Sequence, residues 1–283
     1  KTIGIVLPVS EDDTYENAFF LETMRGISLF CNQKQYFTTL ITGSSNEELL
    51  SAIRSMVKEN HLDGIILLYS NEQDPIIDYL YENGILFVQI GKASQYPGET
   101  ICIDNDNILA AREAVNHLYK LGHRKIGYVG TDLKRIFSAD RKAGYMLALA
   151  ENNVPFQENY YLEMPQVPKN KTDRLLRFLS REDRPTAVLV SDDILAMVLE
   201  KTAFELHLQI PEDLSIISFN NSLFSKLSSP QLTSIDINSR QLGIEAASQM
   251  INHIENPGLL ATKIIVPHFM IERQSCAPPK APR

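Results

Sequence analysis

Residues 64–90 read Gly-Ile-Ile-Leu-Leu-Tyr-Ser-Asn-Glu-Gln-Asp-Pro-Ile-Ile-Asp-Tyr-Leu-Tyr-Glu-Asn-Gly-Ile-Leu-Phe-Val-Gln-Ile. Gly64–Leu68 and Leu86–Ile90 are short, near-continuous apolar runs, the pattern of strands covered on both faces of a sheet. Between them, Pro75–Glu82 has helical spacing; Pro75 suits a first helical turn and Gly84 marks the stop. A strand, a helix and a second strand this close together predict a right-handed crossover between parallel strands.

The same pattern extends in both directions. Toward the N-terminus lie a strand at Ile3–Leu7, a helix carrying Phe19, Leu21, Met24, Ile27, Phe30 and Cys31, a strand at Thr38–Ile41 and a helix at Glu47–Glu59. Ser44-Ser45-Asn46-Glu47 supplies an N-cap for the last of these. Toward the C-terminus a second series runs through helix Ile108–Leu121, strand Ile126–Val129, helix Ala139–Glu151, a strand near Tyr160–Leu162 and helix Thr172–Ser180. It continues with strand Ala187–Val190, helix Asp193–His207, strand Leu214–Ser218, helix Arg240–Ile254 and strand Lys263–Val266. The expected fold class is α/β, with two doubly wound parallel-sheet lobes. At 283 residues the chain is long for one core. The tail from Ala277, rich in Pro and basic residues, is expected to be disordered over 278–283.

Composition narrows the function. Asp and Glu outnumber Lys and Arg 35 to 27, giving a net charge of −8, which argues against a phosphate-binding surface on these residues. The three cysteines, Cys31, Cys102 and Cys276, are widely spaced without a CxxC pair. They suit isolated thiols in a reducing cytoplasm. No apolar run reaches the roughly 18 residues of a membrane span. There is no phosphate loop, GxSxG elbow, HExxH or metal-ligand cluster, so neither an enzyme nor a cofactor is expected.

Ligands of parallel α/β sheets bind beyond the carboxyl ends of the strands. The loops that matter are therefore those after Leu7, Leu68, Ile90, Val129, Val190 and Ser218. Phe19 and Phe20 cannot share one helix face, so Phe20 is either core or a stacking platform for a sugar ring. Tyr69-Ser70-Asn71 offers a phenol, a hydroxyl and an amide, all of which are also ordinary turn chemistry. Asp106 is either a helix N-cap or a carboxylate facing ligand hydroxyls. Arg141 sits in a first helical turn, where a cation opposes the helix dipole. It is either paired structurally or a forked donor toward vicinal hydroxyls. Of Asp192 and Asp193, one should cap a helix and leave the other free to meet a ligand. Asn220 and Asn221 bring two amides to a strand end. Polar groups with an aromatic at nearly every strand end suit a neutral polyol.

Longer motifs carry a resemblance. His117-Leu118 followed by Leu121-Gly122-His123-Arg124-Lys125-Ile126 fits the HLxxLGHRxI part of HLxxLGHRxIxxxxG, with Gly130 one residue earlier than that pattern's last glycine. Asp140-Arg141, Gly144-Tyr145 and Ala148-Leu149 fit DRxxGYxxAL. Ile210–Phe219, Pro230–Ile235 and Ile271–Ser275 complete the series. Over residues 1 to about 276 the chain resembles the LacI/GalR family of transcriptional repressors, and most of all its maltose-responsive branch. The marks of that branch are Asn17–Phe20, Gly91-Lys92, Asp104–Asn107 and Phe219–Ser222. The family more often carries GxDD where this chain has Ser218-Phe219-Asn220-Asn221.

The resemblance implies a type I periplasmic-binding-protein-like core with a ligand cleft between its lobes. It places lobe one at 1–121 and 238–259, and lobe two at 122–237 and 260–277. It implies a homodimer that binds operator DNA only through a helix-turn-helix headpiece not present in these residues, with no membrane association. The implied effector is maltose or a related oligosaccharide, met by Phe20, Tyr69, Asp106, Arg141, Asp192 and Asn220. Two further readings stand beside this one, a stand-alone sugar-binding protein of the transport type and a core regulated by a phosphorylated carrier protein.

Overall fold

The structure, a computed structural model, describes residues 1–9, 17–59, 61–164 and 171–280. In the stretch quoted first, β3 (Gly64–Leu67), α3 (Pro75–Glu82) and β4 (Phe87–Ile90) form the expected unit, with β3 and β4 parallel. Asp74 caps α3 by accepting the Ile76 N–H at 2.8 Å, and Gly84 takes a φ of 63° just past the helix end.

Around it lie β1 (Thr2–Val6), α1 (Ala18–Gln33), β2 (Phe37–Ile41), α2 (Asn46–Lys58) and β5 (Ile101–Asp104). Later in the chain come α4 (Asn107–Lys120), β6 (Ile126–Gly130), α5 (Ile136–Glu151), β7 (Tyr161–Glu163), α6 (Lys171–Leu179) and β8 (Ala187–Val190). They are followed by α7 (Asp193–Glu205), β9 (Ser215–Phe219), α8 (Leu223–Leu227), β10 (Thr233–Asp236), α9 (Ser239–Glu255), β11 (Lys263–Ile265) and β12 (Phe269–Ile271). One sheet runs β11-β5-β4-β3-β1-β2, all parallel; the other runs β12-β10-β9-β8-β6-β7, parallel except for the β10–β12 edge.

In the first sheet, alternation along each strand sorts side chains onto two faces. Ile3, Ile5, Leu7, Ile66 and Leu68 pack with Phe20 and Ile27 of α1 and with Leu242, Ala246 and Met250 of α9. Val6, Ile65 and Leu67 pack with Leu49 and Ile53 of α2 and with Ile76, Ile77 and Leu80 of α3. Both faces are covered, which is why the strands read as unbroken apolar runs. Each fully buried Ile or Leu contributes roughly 1.5–3 kcal/mol. In the second sheet, Val129, Val188, Val190 and Ile216 meet Leu175 and Phe178 of α6 and Leu195 and Leu199 of α7.

Two compact units result. The first comprises 1–105, 134–137 and 238–267, and the second 106–133, 138–237 and 268–283. The boundaries differ from those expected in three places, one of them residues 134–137, which fall in the first unit. Helix α4 belongs to the second unit because it packs on β6 and β8. Residues 260–267 belong to the first because β11 pairs with β5. The tail also departs from expectation up to residue 280. The Ala277 carbonyl accepts from Ser215 Oγ at 3.0 Å and lies 2.8 Å from His123 Nε2, while Lys280 Nζ reaches Asp213 at 2.7 Å. Residues 281–283 lie outside the described residues. Strands β5, β10 and β12 and helix α8 were not anticipated from the sequence.

Candidate functional site in the second unit

Strands β6, β8 and β9 run parallel and end at Gly130, Val190 and Phe219. Arg141, one turn into α5, is 4% exposed. Its Nε donates to Asn107 Oδ1 at 2.9 Å and its NH1 to the Ser191 carbonyl at 2.6 Å. The guanidinium carbon lies 3.8 Å from the Phe219 ring centroid. Hydrogen bonds to charged groups contribute about 1.5–3 kcal/mol each, and a desolvated cation–π contact about 2 kcal/mol. The guanidinium is therefore held in one place. Sequence reasoning selected Arg141 but missed Asn107, Ser191 and Phe219 as groups that hold it.

Asp192 is the N-cap of α7, its Oδ1 accepting the Leu195 N–H at 2.8 Å. The expectation that its neighbour would stay free is corrected. Asp193 is buried and accepts from Ser218 Oγ, from Ser234 Oγ at 2.9 Å and from the Ser222 N–H at 2.6 Å. Burial raises its pKa, and the three donors oppose that rise. Glu200, two turns along α7, has its pKa pushed up to about 7 by burial and by the Asp193 charge.

The two amides after β9 divide their roles. Asn221 Nδ2 donates to Asp236 at 2.8 Å and its Oδ1 accepts from Arg273. Asn220 has a φ of 96° and anchors its N–H on the Ile235 carbonyl at 2.8 Å. Among the described residues no hydrogen bond holds its side chain, which leaves Asn220 the amide available for other contacts. Asp106 is exposed and caps α4 through the Leu109 N–H at 2.8 Å. That is the capping reading, with its second oxygen unassigned.

Two of the six expected residues lie in the first unit, and both are engaged there. Phe20 is 5% exposed in the core and edge-on to Phe19. It takes the core role rather than that of a stacking platform; Phe19, half-buried, is the less enclosed of the pair. The Tyr69 phenol hydrogen-bonds the Asp74 carboxylate, and burial beside that carboxylate raises its pKa far above the ordinary value. Its hydroxyl is thus tied to the α3 cap. The remaining four, Asp106, Arg141, Asp192 and Asn220, all belong to the second unit.

One buried hydroxyl at this site was overlooked. Tyr128 of β6 is fully buried, and its phenolic oxygen has no hydrogen-bond partner among the described residues. The groups whose charge acts on it are Arg141, Tyr161, Asp192 and Glu163. The ring of Tyr161 lies parallel to that of Tyr128 at 6.0 Å, and its hydroxyl reaches Glu163 at 3.3 Å. The signal was a tyrosine in an otherwise apolar strand. Among the described residues no cluster of three or more His, Cys, Asp or Glu could hold a metal, and no helix is long and apolar enough to cross a membrane.

A family model described as a periplasmic binding protein-like domain matches residues 115–276. The transcriptional regulator MalR of Staphylococcus xylosus, described as helix-turn-helix type, is 30% identical over 97% of this chain and 80% of its own length. The chain belongs to the LacI family of transcriptional regulators. What it supplies is the effector-binding domain of that family. The PurR repressor of Klebsiella pneumoniae is also 30% identical, over 98% of this chain and 80% of its own length. A solved LacI-type regulator from Bacillus cereus subsp. cytotoxis superposes with a TM-score of 0.93 at 36% identity, covering 98% of each chain. Identity to MalR and to PurR is equal, so the effector has to be argued from the site.

Proposed function

We propose that this chain is the sensing core of a LacI-type repressor whose effector is a neutral sugar, maltose or a related oligosaccharide. The observation that carries the reading is the second-unit cluster. It combines a fixed guanidinium at Arg141, the Asn220 amide, the Asp192 carboxylate and the Tyr128 hydroxyl at the carboxyl ends of parallel strands. Charges of both signs beside neutral donors and acceptors suit a polyol, whose hydroxyls donate and accept, better than an ion of either sign. The motifs shared with the maltose-responsive branch point the same way. The full protein acts as a cytoplasmic homodimer on operator DNA, as a regulator and not an enzyme. Sugar binding favours one arrangement of its two units, and only a difference in affinity between arrangements can shift that population.

The test is isothermal titration of the chain with maltose, using glucose, lactose and a purine base as controls. Saturable binding of maltose is expected. Asn220→Ala, which removes a side chain without a structural bond, is expected to weaken it about tenfold. Arg141→Ala is expected to abolish it. Binding of the purine base alone would overturn the sugar reading. No binding by any compound would shift the case to a protein effector such as a phosphorylated carrier.

A further inference from the structure

The Tyr128 hydroxyl is out of place unless something meets it. A buried hydroxyl left without a partner costs on the order of 1–3 kcal/mol, and most such groups are paired. A phenylalanine would fill the same space without that penalty. The ring is directed along β6 toward the strand's carboxyl end. A Cβ built at Gly130, two residues on, would lie 2.5 Å from the ring's Cε1 and 3.3 Å from its hydroxyl. Gly130 is therefore glycine so that the ring can lie flat over the strand end. The two phenols beside it both have partners, Tyr145 the Ile126 carbonyl at 2.9 Å and Tyr161 the Glu163 carboxylate at 3.3 Å, so among the three the lack of a partner is particular to Tyr128.

The surroundings define what the hydroxyl would take. Arg141 beside it is committed to Asn107, Ser191 and Phe219, and the Asp192 Oδ1 is committed to its helix cap. Glu163 accepts from Tyr161 and from the Leu133 N–H, each at 3.3 Å. Those bonds are long for charge-assisted ones, which leaves the carboxylate with capacity to accept another donor. Gly130, over which the phenol lies, pairs with Glu163 of β7, so a phenol that both donates and accepts stands beside a weakly engaged carboxylate and matches a group that also does both. A neutral hydroxyl meets that requirement.

We propose that Tyr128 is a specificity-determining residue of the effector site, its hydroxyl and the Glu163 carboxylate together receiving one hydroxyl of the sugar. The proposal rests on the sugar-sensor reading above and names one contact within it. A site built to hydrogen-bond a ligand hydroxyl rejects the analogue that lacks it, because its own buried polar groups are then left unpaired.

The experiment compares the wild-type chain with Tyr128→Phe by titration against maltose and a set of monodeoxy maltoses, together with the melting temperature of each protein without ligand. The variant is expected to melt at the same or a higher temperature and to bind maltose about tenfold more weakly. One deoxy sugar is expected to lose affinity for the wild type and none for the variant, which identifies the hydroxyl received. Equal binding of maltose by both proteins would overturn the proposal and leave the sugar reading intact. A variant that melts lower and weakens toward every sugar alike would make the hydroxyl structural and also overturn it. A wild type that binds no sugar would overturn both.

Discussion

Single side chains in the second unit decide its electrostatics. Asp193 collects three donors in a buried position. Asp193→Ala leaves the Ser218 and Ser234 hydroxyls and the Ser222 N–H without their acceptor and is expected to destabilise the fold by about 2–4 kcal/mol, read as a lower urea midpoint with unchanged slope. Glu200, with its pKa pushed up to about 7 and its Oε1 lacking a partner among the described residues, makes stability depend on pH. Its folded pKa lies above the unfolded one, so the folded state holds the extra proton. Its contribution is therefore most favourable at low pH and declines as pH rises from about 4.5 through 7. Glu200→Gln is expected to raise the melting temperature at pH 8 and to leave it nearly unchanged at pH 5. Equal shifts at the two pH values would count against this. At this scale the sequence was legible where a residue type betrays its role, as with the capping Asp residues; Arg141 was singled out as a first-turn cation, whereas α5 starts at Ile136 and places it in the second turn. The sequence was not legible where role depends on a partner far along the chain. Asp193 and Asp192 are neighbours of one type, and only the serines at 218 and 234 decide which is buried.

Helices and strands obey a different constraint, the closeness of their backbones. Gly26 of α1 and Gly243 of α9 face each other's backbone; a Cβ on Gly26 would lie 2.1 Å from the Arg240 carbonyl oxygen, and one on Gly243 2.1 Å from that of Thr23. On an exposed helix, Gly→Ala would gain about 1 kcal/mol of propensity. Here two packed backbones would have to separate, and overpacking typically costs about 1–3 kcal/mol. Gly26→Ala is therefore expected to lower stability by about 1–2 kcal/mol in chemical denaturation, with a larger loss when Gly243→Ala is added. A gain would show that the α1–α9 contact yields readily. The long elements were legible because periodicity needs length to show itself. β10 (Thr-Ser-Ile-Asp) has one apolar residue and β12 is an edge strand with no buried residue, so neither shows the apolar run that marked the similarly short β3 and β4. α8 spans five residues and bears exposed Leu223 and Leu227, so its apolar residues mark no core.

For the whole molecule the informative quantity is linkage. A ligand that binds only the folded state at a hundred times its Kd stabilises that state by about 2.7 kcal/mol. Maltose at that ratio is expected to raise the melting temperature by several degrees, while a sugar that does not bind leaves it in place. The two-unit architecture was legible from the repeated strand–helix order, but its boundaries were not. α4 and β11 were assigned by sequence proximity, whereas the sheets claim them by packing and by pairing. That interleaving also sets the order in which the protein can be made. The first unit lacks α9 until residue 255 and its edge strand until 265. The second lacks its own edge until residue 271. On the ribosome neither unit is whole until residues 265 and 271 have emerged, so both are completed almost together. For the same reason no single cut in the polypeptide releases one intact unit, and dissecting the protein requires rejoining separate stretches.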